Sequence, residues 1–269
     1  MQKYLILLAL FFVSCSPKYT EKAMWQSGHV SIDANTSEYG KIRYGNSETK
    51  LLYSIYNDSD NLYVCLTTSD NNTQHQIMLG GMEVWIDTVK KSLQHTGIKY
   101  PLKVNQPQDF SIKPNIDSAQ KRDFHNLRQQ FLLNQSVMDI SGFKNYQNGL
   151  YSLETKKGIK VKMGWDSSTT LIYEIQIPLE SWYKKLVFAD SAKVFTLTVN
   201  INAVPVPNMG NQPPDGMPGG GPPGGPPMGQ MGGMPPGMPP MGGGQMGGMM
   251  AMSEPHSFKM NFKLNMHAK

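Results

Sequence analysis

Cysteine is nearly absent from this chain. Cys15 and Cys65 are the only two in 269 residues, too few for a disulfide framework, so stability has to come from a buried core. Long apolar runs are missing as well. The N-terminal run from Leu5 to Val13 has nine residues, where a helix needs about 20 to cross a hydrocarbon core of about 30 Å. Basic clusters are missing too. The 25 Lys and Arg residues never run longer than a pair, as at Lys90-Lys91, Lys156-Lys157 and Lys184-Lys185. A nucleic-acid footprint would be a clustered patch or stripe, so the net charge of +5 reads as solubility or weak attraction to an anionic surface. The usual catalytic signatures do not occur either. The six histidines, His29, His75, His95, His125, His256 and His267, form no HExxH pair. There is no CxxCH, no Gly-Lys-Ser/Thr loop and no nucleophile elbow.

What is present begins with an export pattern. Lys3 is the only charge before Cys15, the apolar run follows, and small Ser14 precedes the cysteine. That is the order of a cleaved signal peptide. Phe12-Val13-Ser14-Cys15 resembles a bacterial lipobox, in which the residue matching Cys15 receives the lipid and becomes the new N-terminus. The expected division is a signal peptide at 1–14, a tether at 15–24 and a folded domain over 25–269, interrupted at 205–252. Ser16 stands where inner-membrane retention would use Asp. The expected location is therefore the cell envelope, lipid-anchored, at the outer membrane of a Gram-negative bacterium.

Strand signals recur from Trp25 onward. Leu51–Tyr56 and Leu62–Thr68 flank the turn cluster Asn57-Asp58-Ser59-Asp60-Asn61 and predict a hairpin. Met82, Val84 and Ile86 alternate with Glu83, Trp85 and Asp87, which puts the second set together on one face of a strand. Gly158–Trp165 and Thr170–Ile177 alternate again, and Val194–Asn202 and Ser257–Leu264 close the series. One helix is predicted near 117–134, where Phe124, Leu127 and Phe131 fall at helical spacing. The polar stretch ahead of Met82 reads as a loop. Cys65 reads as a buried structural thiol. Many short strands with one helix predict an all-β antiparallel sandwich.

Residues 205–252 differ in kind. They hold 16 Gly, 13 Pro and 11 Met among 48 residues, with no aromatic and Asp215 as the only charge. Such a composition has little to offset the entropy of ordering. It predicts a long disordered loop inserted into the terminal hairpin, a tolerable arrangement because loop closure cost grows slowly with length. Within it Met228, Met231, Met234, Met238 and Met241 recur every three or four residues. Thioethers are soft ligands that suit Cu(I), so these five are candidate metal ligands. The bland alternative is a spacer with flexible apolar side chains.

Three segments taken together, Asn57–Asp70 (NDSDNLYVCLTTSD), Met82–Asp87 (MEVWID) and Tyr173–Trp182 (YEIQIPLESW), resemble the carbohydrate-binding module family 9-like domains, related to the DOMON superfamily. Val30-Ser31-Ile32-Asp33 resembles their opening, with Ala34 where a glycine is usual. The resemblance spans about 25–265. It implies a ligand-binding antiparallel sandwich without catalysis. Sugar-binding members clamp a saccharide between loop aromatics, whereas Asn71–Gln76 contains none. Trp85, flanked by Glu83 and Asp87, is the candidate platform, weighed against simple packing of its ring. The other tryptophans, Trp25, Trp165 and Trp182, read as packing residues. Weaker candidates are a Glu83–Glu174 acid–base pair, calcium at Asp58, Asp60 and Asp70, and haem held by Met78 or Met82 with His75 or His95.

The expected function is a non-enzymatic envelope lipoprotein that binds a carbohydrate or a protein partner, held to the membrane through its lipid and without nucleic acid. Copper handling by the Met-rich arm is the alternative, and a haem-binding or hydrolytic domain stands behind both.

Overall fold

The computed structural model describes residues 20–88, 94–103, 118–155, 158–184, 192–204 and 252–266. Strands β1 (Thr20–Lys22), β2 (Met24–Trp25), β3 (Tyr44–Asn46), β4 (Leu51–Asn57) and β5 (Asn61–Thr68) are followed by helix α1 (Asn71–Gly80). Next come β6 (Met82–Thr88), β7 (Gly97–Lys99), α2 (Ser118–Asn134), β8 (Val137–Ser141) and β9 (Gly149–Ser152). The chain ends with β10 (Lys160–Trp165), β11 (Leu171–Pro178), the single turn α3 (Leu179–Trp182), β12 (Val194–Ile201) and β13 (His256–Lys263).

These strands form two sheets. One runs β1-β13-β12-β6-β7-β8-β9, and the other runs β10-β11-β5-β4-β2, with β3 also on β4. Alternation along each strand places one side chain set inward. Leu51, Ile55, Val64, Leu66, Tyr173 and Ile175 from one sheet join Val84, Ile86, Phe195, Leu197 and Phe262 from the other in a single core. Tyr53 and Phe258 stack across the two layers with centroids 5.0 Å apart. The β-sandwich, the 57–61 hairpin turn and the helix ending at Asn134 are as expected from the sequence.

Four features depart from expectation. Residues 20–24, expected in the tether, belong to the fold: Thr20–Lys22 is strand β1 and Met24 opens β2. β1 pairs in parallel with β13 and β2 in parallel with β4, so the sheets are mixed rather than purely antiparallel. The polar stretch before Met82 is helix α1, capped by Asp70, whose side chain accepts from the Thr73 amide at 2.8 Å. β8 and β9 extend the larger sheet through a segment with little strand signal.

The terminal hairpin is as expected: β12 and β13 pair from Val194↔Lys263 to Ile201↔His256. The Val204 amide donates to the Met252 carbonyl at 2.9 Å, which closes its mouth. Residues 205–251 lie outside the described residues, as do the signal segment and Cys15.

Candidate ligand-binding groove

The outward face of the smaller sheet carries a second, smaller cluster. Tyr56, Tyr63 and Cys65 point away from the main core and are covered by Val30 and Tyr39, with Met24, Ile32 and Ile42 packed alongside. Residues 26–43 thus lie over the sheet as a strap. A buried carboxylate fastens it. Glu174 Oε2, on the same outward face, accepts hydrogen bonds from the Asp33 amide at 3.0 Å and from the Ala34 amide. Burial holds the Glu174 carboxyl above its ordinary value, with those amides pulling the other way. The Cys65 thiol is fully buried, and burial together with the nearby Glu174 charge pushes it upward as well. It is the structural thiol that the alternation implied.

Where the strap meets the sheet edge, an open groove of about 1120 Å³ is formed. β2 and β3 both pair with the outer edge of β4, but at different points, Tyr56–Asn57 and Leu51–Tyr53. The groove lies between them, where the chain crosses from one sheet to the other at buried Ala23. Half-buried Trp25 and Tyr44 supply its accessible aromatic faces, with buried Tyr39 and Tyr56 behind them, and Lys22, Lys41, Arg43 and Asn265 supply its polar groups. The rings are held before any ligand arrives. Tyr44 stacks on Tyr53 at 5.5 Å, and Tyr39 packs on Tyr56 at 5.0 Å. The Tyr56 hydroxyl donates to the Tyr39 carbonyl, and the Arg43 amide donates to Ser54 Oγ at 3.0 Å. The fully buried Asn57 side chain copies a strand pairing with Asn265, donating to its carbonyl at 2.9 Å and accepting from its amide at 2.7 Å. That exchange ties the β4 end of one sheet to the chain leaving the other. Fixed walls reduce the ordering cost of binding, and a concave site with aromatic walls and few polar groups is the usual form of a ligand site.

The platform expected at Trp85 is closed. Glu83, Trp85 and Asp87 do share the outward face of β6, but Trp85 is only 8% exposed. Its indole N–H donates to Glu83 Oε2 at 2.9 Å. Its ring lies over its cross-strand partner Gly97, where even a Cβ would meet it at 2.3 Å. The missing side chain opposite is what lets the indole lie down on the sheet. Asp87 accepts from the amides of Gln94 and His95 at 3.0 and 3.2 Å, so its carboxylate is committed to the backbone that leads into β7. These three residues act within the fold, and the groove at Trp25 lies on the other sheet.

The remaining candidates fare similarly. Glu83 and Glu174 face outward from opposite sheets, so the sandwich separates them rather than pairing them. Asp58 is spent on its own turn, accepting from the amides of Asp60 and Asn61 and from the Tyr63 hydroxyl at 2.6–2.7 Å. Asp70 caps α1. Among the described residues no group of three His, Cys, Asp or Glu is placed to hold a metal. Met78 and Met82 are buried in the main core. Met228, Met231, Met234, Met238 and Met241 lie outside the described residues. Trp165 and Trp182 pack as expected: the Trp165 indole donates to Gln74 Oε1 at 2.9 Å, and Trp182 meets Phe195 edge to face. Trp25 is the residue the sequence undervalued, because only the β2–β4 pairing carries it to the groove.

No family model matches the chain, and no curated protein matches it. Among solved structures, a carbohydrate-binding module of family 9 from Caldicellulosiruptor kristjanssonii in complex with glucose is similar over 92% of this chain and 97% of that one. The identity is 10% and the TM-score 0.38. A family 9 module from the same organism in complex with cellotriose is similar over 68% of this chain and 76% of that one, at 9% identity and a TM-score of 0.33. Likeness at that level says nothing about the ligand here.

Proposed function

We propose that this chain is a non-enzymatic, lipid-anchored protein of the cell envelope whose β-sandwich binds carbohydrate in the groove that presents Trp25 and Tyr44. The observation that carries the reading is the groove itself: an open cleft whose half-buried Trp25 and Tyr44 are flanked by cations and an asparagine. A sugar ring offers an apolar C–H face to such rings and hydroxyls to such polar neighbours. The export pattern supports the envelope placement, with Cys15 as the lipid attachment point and the four residues 16–19, a reach of at most about 18 Å, separating it from Thr20.

Glycan-array binding by the full chain tests this. Trp25→Ala and Tyr44→Ala each lose binding, while Trp85→Ala keeps it wherever its fold survives. Loss with Trp85→Ala alone would move the site to the other sheet, and an array without any retained glycan would end the carbohydrate reading. Copper handling by Met228–Met241 remains the second reading, supported by the thioether spacing alone.

A further inference from the structure

Taking the groove as the carbohydrate site, we infer that its ligand is an acidic saccharide, a polymer bearing uronate or sulfate groups. Lys22, Lys41 and Arg43 line the groove, and its lining contains no Asp or Glu. All three side chains are exposed. None of them has a carboxylate partner among the described residues. The ion pair there is Lys99–Asp139, at 3.7 Å on the other sheet. Carboxylates close by in the chain are committed elsewhere. Glu21 is buried and accepts from the Tyr53 hydroxyl at 3.3 Å, and Glu38 accepts from the Ser31 amide at 3.0 Å.

Charge of a single sign in a concave site raises the local concentration of a counter-charged ligand. A surface that needed its cations only for solubility would have no reason to gather three around one cleft and leave them unpaired. The shape selects among anionic partners. A bilayer is met by a protruding surface, whereas these cations border a recess walled by rings. At about 1120 Å³ it exceeds the roughly 300–1,000 Å³ of ordinary small-molecule sites, which suits several residues of a polymer. The rings take the C–H faces of the sugars, and the cations take the carboxylates or sulfates at the rim.

The experiment measures binding of the full chain to polygalacturonate, alginate and a sulfated glycan. A neutral glucan and fully methyl-esterified polygalacturonan serve as matched uncharged polymers. At least one acidic polymer binds, and esterification of the galacturonan or removal of sulfate weakens that binding at least ten-fold. Exposed ion pairs are screened by salt, so Lys22→Gln, Lys41→Gln and Arg43→Gln each weaken it by roughly three- to five-fold at low salt and less at high salt. Equal binding to neutral and acidic polymers, lost with Trp25→Ala, would leave the carbohydrate reading standing and remove this inference. Failure of every polymer would remove both. Single-stranded DNA or anionic vesicles that outcompete the acidic polymers would also overturn it.

Discussion

Ala34 sits with φ at +68°, a left-handed conformation that costs an L residue about 1–2 kcal/mol. The Glu174 carboxylate compensates by accepting the amides of Asp33 and Ala34 at that bend. A glycine is usual at this place in the domains the sequence resembles, and the backbone shows why. Two expectations follow at the residue scale. A Cβ on Gly164 would lie 2.8 Å from Ala34 Cβ, so Gly164→Ala destabilises by about 1–3 kcal/mol. Ala34→Gly recovers most of that loss, and denaturant unfolding of the double-mutant cycle measures the coupling. Glu174 also sets a pH dependence. Its folded value is raised above the ordinary 4.5, so its contribution is full below that value and is lost as pH rises through the folded value. Stability therefore declines from acidic toward neutral pH, and Glu174→Gln flattens the decline. Buried Glu21, raised by burial in the same direction, leaves a residual slope. An unchanged profile in Glu174→Gln would show that this carboxyl does not titrate differently on folding.

Helix α1 illustrates the element scale. Its first six residues, Asn71–Gln76, are polar and read as a loop, yet Gln74 and Gln76 are buried. Their amides join the short apolar run Ile77-Met78-Leu79, buried beside them, on the inward side of the helix. Gln74 donates to the carbonyls of Thr68 and Thr169 and accepts from Arg128 and Trp165. All four of its hydrogen-bonding positions are filled, so it is a satisfied polar hub rather than a defect. Gln76 Nε2 donates to the Asn202 carbonyl at 3.3 Å and the Glu254 carbonyl at 2.7 Å. It grips both legs of the insertion where they leave and rejoin the sheet. Gln76→Leu leaves those carbonyls unpaired and costs about 1–3 kcal/mol. Amide exchange at Val204, whose donor bond closes the loop, accelerates with it, while exchange in β11 does not beyond the global change. Periodicity could not reveal α1, because its apolar run is only three residues long and the rest of its buried side is held by side chain–backbone bonds to carbonyls up to 178 residues away.

For the whole molecule, the β12–β13 register and the Gln76 grip hold the two strands together on either side of 205–251. Replacing 205–251 by a short Gly-Ser linker leaves the sandwich folded. Shortening the loop lowers its closure entropy by about 2 kcal/mol, so Tm rises slightly. The same variant separates the two functional readings. Groove-dependent glycan binding survives the deletion, whereas copper retention, if the methionines supply it, disappears. Loss of folding on deletion would show that the insertion contributes to the core. The groove is also a whole-molecule feature, since its walls come from the first strands, the strap and the exit of the last strand.

The sequence alone determined the sandwich, the hairpin at 57–61, the terminal hairpin of β12 and β13 and the buried state of Cys65. Each of these depends on period-two alternation or on turn chemistry, which neighbours in the chain decide. The closing of Trp85 over Gly97, the seating of Glu174 under the strap and the joining of Trp25, Tyr44, Lys41 and Arg43 in one groove came only with the fold. They depend on strand register and on which sheet edge the N-terminal segment fills, and many pairings share the same alternation. Burial of a complete core chooses among them.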